Sequence, residues 1–474
     1  MRRFTAGLAA LTLIRVVMAD TIPLSPDETY YLIWSHALAG GYLDHPPMVA
    51  LWIKAGTLLL GQTERGVRLL GPLAAALASW MLFDAGRALF PGTKAGIVAA
   101  VLINASLLLG VGSVIMTPDS PLLFFWTAAL WAMAHVATAK TADEGGRWWL
   151  AAGVAAGLAL DSKYTAAFLW IGIGLWTLVV PSARPWLRRW QPWAAALIGA
   201  ALFAPVVLWN ARHDWVGFVK QGSRVGDWQP TRALGFLAEL AGSQIGLVTP
   251  LVWLLCIAGL VTAVRRWRDP SWALLAALSV PPALVFVQHA FGGRVQGNWP
   301  AILYPALALA AGGLAIRDRW WKAAAAVGFG ITGLAYIQAA TAVIPLPPRL
   351  DPSALRLRGW DGLAWQVALA REAAGASFVA ADGYALGSEL AWHLVGETIV
   401  GVDPRWRLFG LRSYPIADAT GVLVMDIRRS EGPDPAVWAE IERIGEAVRP
   451  GAGAPSYALY RVKGRADAAS KPVL

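Results

Sequence analysis

Residues 24–48 read LSPDETYYLIWSHALAGGYLDHPPM. The stretch follows an apolar segment at residues 4–20 and precedes a long series of others, yet it gathers Asp27, Glu28, Asp44 and His45 into one short connection. In a soluble protein such a loop needs no explanation. Here 57% of 474 residues are hydrophobic and only 15% charged, against about 25% charge in soluble chains. Apolar runs of roughly 16 to 24 residues recur at 4–20, 66–89, 95–113, 120–139, 148–161, 164–181, 192–210, 246–264, 272–290, 299–316 and 322–345, and about 20 apolar residues cross ~30 Å of hydrocarbon. The expected fold class is a polytopic α-helical membrane protein with about 11 transmembrane helices.

Charge position orients the chain. Arg2/Arg3, Arg87/Lys94, Lys140/Arg147, Arg184/Arg188/Arg189, Arg265/Arg266/Arg268 and Arg317/Arg319/Lys322 fall in alternate connections, and the positive-inside rule makes that face cytoplasmic. The net charge of +10 therefore reads as topology and lipid-headgroup contact, and no nucleic-acid module is present in the sequence. The N-terminus is expected in the cytoplasm and the C-terminus outside it. Val17-Met18-Ala19 before Asp20 also resembles a signal cleavage site; a retained first helix is the reading adopted, and either choice leaves Asp20 outside. The lone Cys256 sits in an apolar run and builds neither a disulfide framework nor a cysteine metal site.

The organisation expected is a transmembrane module at 1–345, with a first external loop at 20–65 that carries interfacial helices, a small α/β domain at 346–463, and a disordered tail at 464–474. Past IPLPPRLDP, the segments ASFVAAD, TIVGVD, GVLVMDI and SYALYRV pattern as strands, while YALGSELAWHL and PAVWAEIERIGEAV pattern as helices.

The external face collects the chemistry-bearing residues. Asp27 follows Ser25-Pro26 and precedes Glu28 and Tyr30, a sequence that suits a helix start equally well as it suits a carboxylate held to take a proton from an attacking hydroxyl. Asp119, in TPDSP, repeats that design, so the two acids are either a base and a helper or a pair sharing a cation. His45 lies on a stiff Asp-His-Pro-Pro turn without the spacing of a zinc motif. Lys163 and Arg294 are a snorkelling pair or an anion site, and Gly292-Gly293 lets backbone approach a ligand beside Arg294 and Asn298. His213-Asp214 reads as a loop anchor.

Together DETYYLIWSHALAGGYLDHPP, TPDSPLLFFW, SKYTA, LWNARHDW, GRVQGNWPA and ADGYALGSELAWHL resemble the GT-C glycosyltransferases, in the bacterial branch similar to protein O-mannosyltransferases and the lipid A aminoarabinose transferase, over about residues 4–463. The resemblance implies transfer of a sugar from a polyprenyl-phosphate carrier to a lipid or envelope-glycan acceptor on the periplasmic face, with inversion. It implies Asp27 as the main catalytic acid–base residue and Asp119 as a second site acid. Lys163 and Arg294 would face the lipid phosphate, His45 would shape the pocket, and Glu28, Tyr30 and Asn298 would complete substrate binding. No cofactor is required, and a divalent metal is compatible with the acids. The external domain of about 120 residues lacks long lumenal inserts, which favours a lipid or glycan acceptor over a protein. The alternative is a transporter or flippase of a lipid-linked sugar, which would place its ionisable residues near the bilayer midplane on broken helices.

Overall fold

Whether an apolar run becomes one spanning helix depends on what interrupts it. The computed structural model describes residues 2–222, 228–347, 350–428, 432–451, 453 and 455–474; within IPLPPRLDP, Pro348 and Arg349 lie outside the described residues. All eleven apolar segments are helical over most of their length. Among the described residues, however, only six helices are long and apolar enough to cross a membrane: Arg2–Thr21, Glu64–Leu89, Asp119–Thr138, Trp190–Arg212, Pro270–His289 and Asp318–Thr341. A seventh is reached if Pro230–Val248 and Pro250–Arg265, bent by 110°, count as one span.

The shortfall from eleven has local causes. The 95–113 run breaks where the Ser106 hydroxyl accepts the Leu109 N–H at 3.2 Å and starts a new helix. The 148–161 run belongs to Ala142–Leu160, whose first turns carry Asp143, Glu144 and Arg147. The 164–181 and 299–316 runs open in 3₁₀ turns, which leave α-helices of 13 and 9 residues. Thr249, a β-branched residue at φ 68°, makes the 110° bend.

The chain divides into two compact units. The helical unit comprises residues 1–19, 40–52 and 68–336. Its helices approach closely because small residues line them: a Cβ at Gly96 would stand 2.1 Å from the Phe83 carbonyl oxygen. A polar thread runs through the packing, with the buried Arg15 guanidinium donating to Asn104 Oδ1 at 2.8 Å and the Asn104 amide to Ser79 at 2.7 Å. One end of the unit gathers the basic connections. Lys94 pairs with Asp318 at 2.7 Å, the Ser271 hydroxyl donates to Leu89 O at 3.2 Å, Trp176 Nε1 donates to Pro270 O at 3.0 Å, and Trp149 packs on Trp186. The other end gathers the loops that hold Asp44, Asp119, Lys163 and Asn298, with the Met48 N–H donating to Asp161 O at 3.0 Å.

The α/β unit comprises residues 20–39, 53–67 and 337–474, so part of the first loop belongs with the C-terminal region rather than with a 1–345 module. Its strands are β1 (Phe378–Ala381), β2 (Ile399–Gly401), β3 (Ser413–Tyr414), β4 (Thr420–Asp426), β5 (Trp438–Val448), β6 (Ser456–Gly464) and β7 (Lys471–Pro472). Five form a sheet in the order β2-β1-β4-β6-β5, parallel at β2-β1-β4 and antiparallel beyond, and β3 pairs with β7. Apolar strand residues such as Val379, Val422 and Leu459 pack on Leu363 and Val367 of the helix Trp360–Ala373 and on Leu386 and Leu390 of the helix Tyr384–His393.

Two expectations are corrected in this unit. PAVWAEIERIGEAV forms no helix; it supplies the edge strand β5. Its charged spacing suits either state, and pairing with β6 overrides helix propensity: Glu440 meets Lys463 at 3.5 Å and Glu442 meets Arg461 at 3.7 Å across the ladder. The 464–474 tail is bound rather than disordered. Lys471 is buried, β7 pairs with β3, and the Leu474 N–H donates to Ile399 O at 2.9 Å.

Candidate active site

In the α/β unit the loop sequence builds a short, strongly capped helix, Pro26–His36. Proline at its first position costs no hydrogen bond, and Asp27 and Glu28 lie at the positive end of the helix dipole. The Glu28 carboxylate accepts from the Ser25 N–H at 2.9 Å and from the Ser25 hydroxyl at 3.0 Å. Glu28 is fully buried, so its first role is to close the helix start rather than to meet a ligand at the surface. Asp27 differs. Its side chain is 40% exposed, its Oδ1 accepts from the Tyr384 hydroxyl at 3.4 Å, and its Oδ2 lies 3.8 Å from Arg356 Nη1. Tyr30 is buried among rings, with centroids 4.6 Å from Tyr384, 5.0 Å from Trp34 and 5.4 Å from Trp406.

The helix Tyr384–His393 packs against the Pro26–His36 helix and supplies residues that sequence reading did not single out. Gly383, at φ 88°, makes the turn from β1 into it. Tyr384 at its start faces Asp27, and Arg405 lies over the Tyr384 ring at 4.4 Å. Glu389 is buried, accepts from the Thr29 hydroxyl at 3.3 Å and stands 3.5 Å from His393 Nε2. Burial pushes the Glu389 carboxyl up to about 7, against the opposing pull of His393, Thr29 and Arg449. The signal was legible: a carboxylate four residues before a histidine inside the otherwise apolar ALGSELAWHL.

In the helical unit three connections converge on Asp119, the first residue of the helix Asp119–Thr138. Lys163 Nζ donates to Oδ1 at 2.7 Å, and Asn298 Nδ2 donates to Oδ2 at 2.7 Å. Both carboxylate oxygens are thereby engaged, in a setting where the Lys163 and Asp119 side chains are 9% and 15% exposed. Arg294 does not join this cluster; it is largely exposed and pairs with Glu239. Asp44 pairs with Lys220, and its carbonyl accepts from Gln221 at 2.7 Å, which fixes the turn whose His45 carbonyl accepts the Tyr42 N–H at 3.2 Å. His213 stacks on Trp209 at 4.2 Å and hydrogen-bonds its carbonyl at 2.8 Å, as a loop anchor does. Among the described residues no three His, Cys, Asp or Glu side chains come together as a metal-ligand set.

Chemically, the α/β unit offers a partly exposed carboxylate with a phenol on one oxygen and a guanidinium near the other. The helical unit offers a neutralised acid–ammonium–amide cluster.

The chain is similar to known proteins in sequence and in fold. The family model for dolichyl-phosphate-mannose-protein mannosyltransferase matches residues 44–209. The lipid A galacturonosyltransferase RgtD of Rhizobium johnstonii is 30% identical over 305 residues, which cover 62% of this chain and 62% of that protein. ArnT from Cupriavidus metallidurans matches in fold over 96% of this chain and 97% of its own. The TM-score is 0.65 at 17% identity for the apo state, and 0.64 at 18% for the state bound to undecaprenyl phosphate. The chain thus has the GT-C glycosyltransferase fold, similar over nearly its whole length to that of ArnT, and is similar in sequence to a lipid A glycosyltransferase.

Proposed function

We propose that the protein is a polyprenyl-phosphate-dependent glycosyltransferase that modifies lipid A or a related envelope lipid. The reaction would take place at the periplasmic face of the inner membrane. The observation that carries the reading is the difference between the two acids. The Asp119 side chain is 15% exposed and is held by Lys163 and Asn298, whereas the Asp27 side chain, at the start of a capped helix, is 40% exposed. Asp27 is the group assigned to the acceptor. For a hydroxyl acceptor, its oxygen attacks the anomeric carbon, the bond from that carbon to the phosphate oxygen breaks, and Asp27 takes the hydroxyl proton. For a phosphate acceptor no proton need be removed, and Asp27 orients the nucleophile.

A cation suits the departing polyprenyl phosphate, a role assigned to Lys163. Undecaprenyl phosphate, the ligand in the ArnT complex, supports the carrier class, and the lipid A acceptor and galacturonosyl group in the name RgtD make a uronosyl donor the first to test.

The test is mass spectrometry of envelope lipids from a deletion strain restored with the parent or with Asp27→Asn. Loss of one sugar in both the deletion and the Asn strain, with the carrier-linked sugar accumulating, supports the reading. An unchanged lipid profile on deletion would return the transporter or flippase alternative.

A further inference from the structure

A carboxylate removed from water inside an apolar helix is costly to keep, and a glutamine or leucine would fill the same space without that cost. Glu389 is kept nonetheless, with its side chain 1% exposed between Thr29 and His393, and its helix meets the acidic turn at two points. Thr29, at 3.3 Å, stands in the first turn of the Pro26–His36 helix, two residues beyond Asp27, and its hydroxyl also reaches Pro26 O at 3.2 Å. Tyr384, at the start of the helix that carries Glu389, places its hydroxyl on Asp27 itself at 3.4 Å. One helix of the α/β unit therefore grips the acidic turn twice.

We propose that Glu389 and Tyr384 are positioning residues for Asp27: together they set where its carboxylate sits, and the ionisation of Glu389 couples sugar transfer to pH. This rests on the assignment of Asp27 to the acceptor.

The groups that face Glu389 are identifiable. His393 lies one turn along its own helix, and the Pro26–His36 helix contributes the uncharged Thr29 hydroxyl and the Asp27 carboxylate beyond it. Arg449 acts from the segment after β5; its guanidinium lies 4.2 Å over the Trp360 ring and is influenced in turn by Asp426, Arg428 and Tyr457. Ionised, Glu389 can only accept, from Thr29 and from protonated His393. When the proton sits on the oxygen that faces Thr29, Glu389 donates to the Thr29 oxygen, and Thr29 turns its own proton toward Pro26 O. The grip on the first turn thus changes character within the physiological range, consistent with a carboxyl raised to about 7.

The experiment uses the full-length protein with Glu389→Gln, Tyr384→Phe and Asp27→Asn. All three replacements are near-isosteric. Hydrogen–deuterium exchange of the peptide covering residues 24–36 is followed from pH 5.5 to 8.5, corrected for intrinsic rates. In parallel, transfer is measured in membranes on whichever envelope lipid loses its sugar on deletion.

The parent is expected to change protection of this peptide across that range, and Glu389→Gln to abolish the change. Both Glu389→Gln and Tyr384→Phe should lower kcat about 10- to 100-fold with little effect on KM, the loss expected when a reacting group is displaced. Glu389→Gln should also flatten the pH profile of kcat. If Asp27→Asn is inactive while the other two match the parent in kcat, pH profile and exchange, the positioning role is overturned and the assignment of Asp27 stands. If Asp27→Asn transfers as well as the parent, that assignment itself falls. The exchange measurement decides the coupling to Glu389 whatever the substrate: equal protection in parent and Glu389→Gln at every pH overturns it.

Discussion

Lys163 and Asp119 form an ion pair of 2.7 Å in which neither side chain is more than 15% exposed, and Asn298 occupies the second carboxylate oxygen. The pair joins a loop after one helix to the first residue of another, so the connection is as much architectural as chemical. Removing one partner strands the other charge away from water. Asp119→Asn is expected to lower stability in detergent by about 3 kcal/mol, while Asp119→Asn with Lys163→Met should recover much of that loss. A thermal-unfolding double-mutant cycle measures the coupling, and additive effects would show that the pair is not energetically linked.

The C-terminal residues hold an edge of the α/β unit. The Leu474 N–H donates to Ile399 O at 2.9 Å and the Val473 N–H to Arg412 O at 2.8 Å. Ending the chain at residue 469 removes both bonds and the β3–β7 pairing. The unit should lose on the order of 2 kcal/mol, at about 1 kcal/mol per backbone hydrogen bond. Limited proteolysis of the truncated protein should cut after Arg407 and Arg412, the exposed basic residues of that region, faster than in the parent.

Glu389 makes stability depend on pH with a definite sign. Burial raises its carboxyl to about 7 from the ordinary 4.5, so the folded state binds a proton that the unfolded state has already released. Its contribution is full below about pH 4.5 and is lost as pH rises through about 7. For one such group the loss is on the order of 3 kcal/mol. Comparing the melting temperature of the parent at pH 5 and pH 8 with that of Glu389→Gln isolates the term: the parent should fall more steeply.

Much of this was legible in the sequence because it rests on periodicity and charge placement. The polytopic helical class, the gathering of the basic connections that join Lys94 to Asp318, and the meeting of Asp119 with Lys163 and Asn298 follow from where apolar runs start and stop. Single-residue interruptions were harder to read. The Ser106 cap and the bend at Thr249 divide runs whose composition is continuous. The strand β5 reads as a helix in the sequence because a charged edge strand and an exposed helix face share one composition, and only the partner β6 distinguishes them. Sign and loop position group Arg294 with Lys163, yet Glu239, on the helix Pro230–Val248, pairs with Arg294 instead. Glu389 shows in the sequence only as a carboxylate four residues before a histidine; its partner Thr29, 360 residues away, shows only in the fold.

The central claim is that Asp27 acts on the acceptor, and the most direct measurement is sugar transfer by the purified, reconstituted protein with parent and Asp27→Asn compared on the same carrier-linked sugar and lipid A. Asp27→Asn should keep its fold and its binding of undecaprenyl phosphate while kcat falls at least ~100-fold, as removal of a general base or of an orienting carboxylate does. A folded Asp27→Asn protein that transfers sugar at the parent's rate would contradict it.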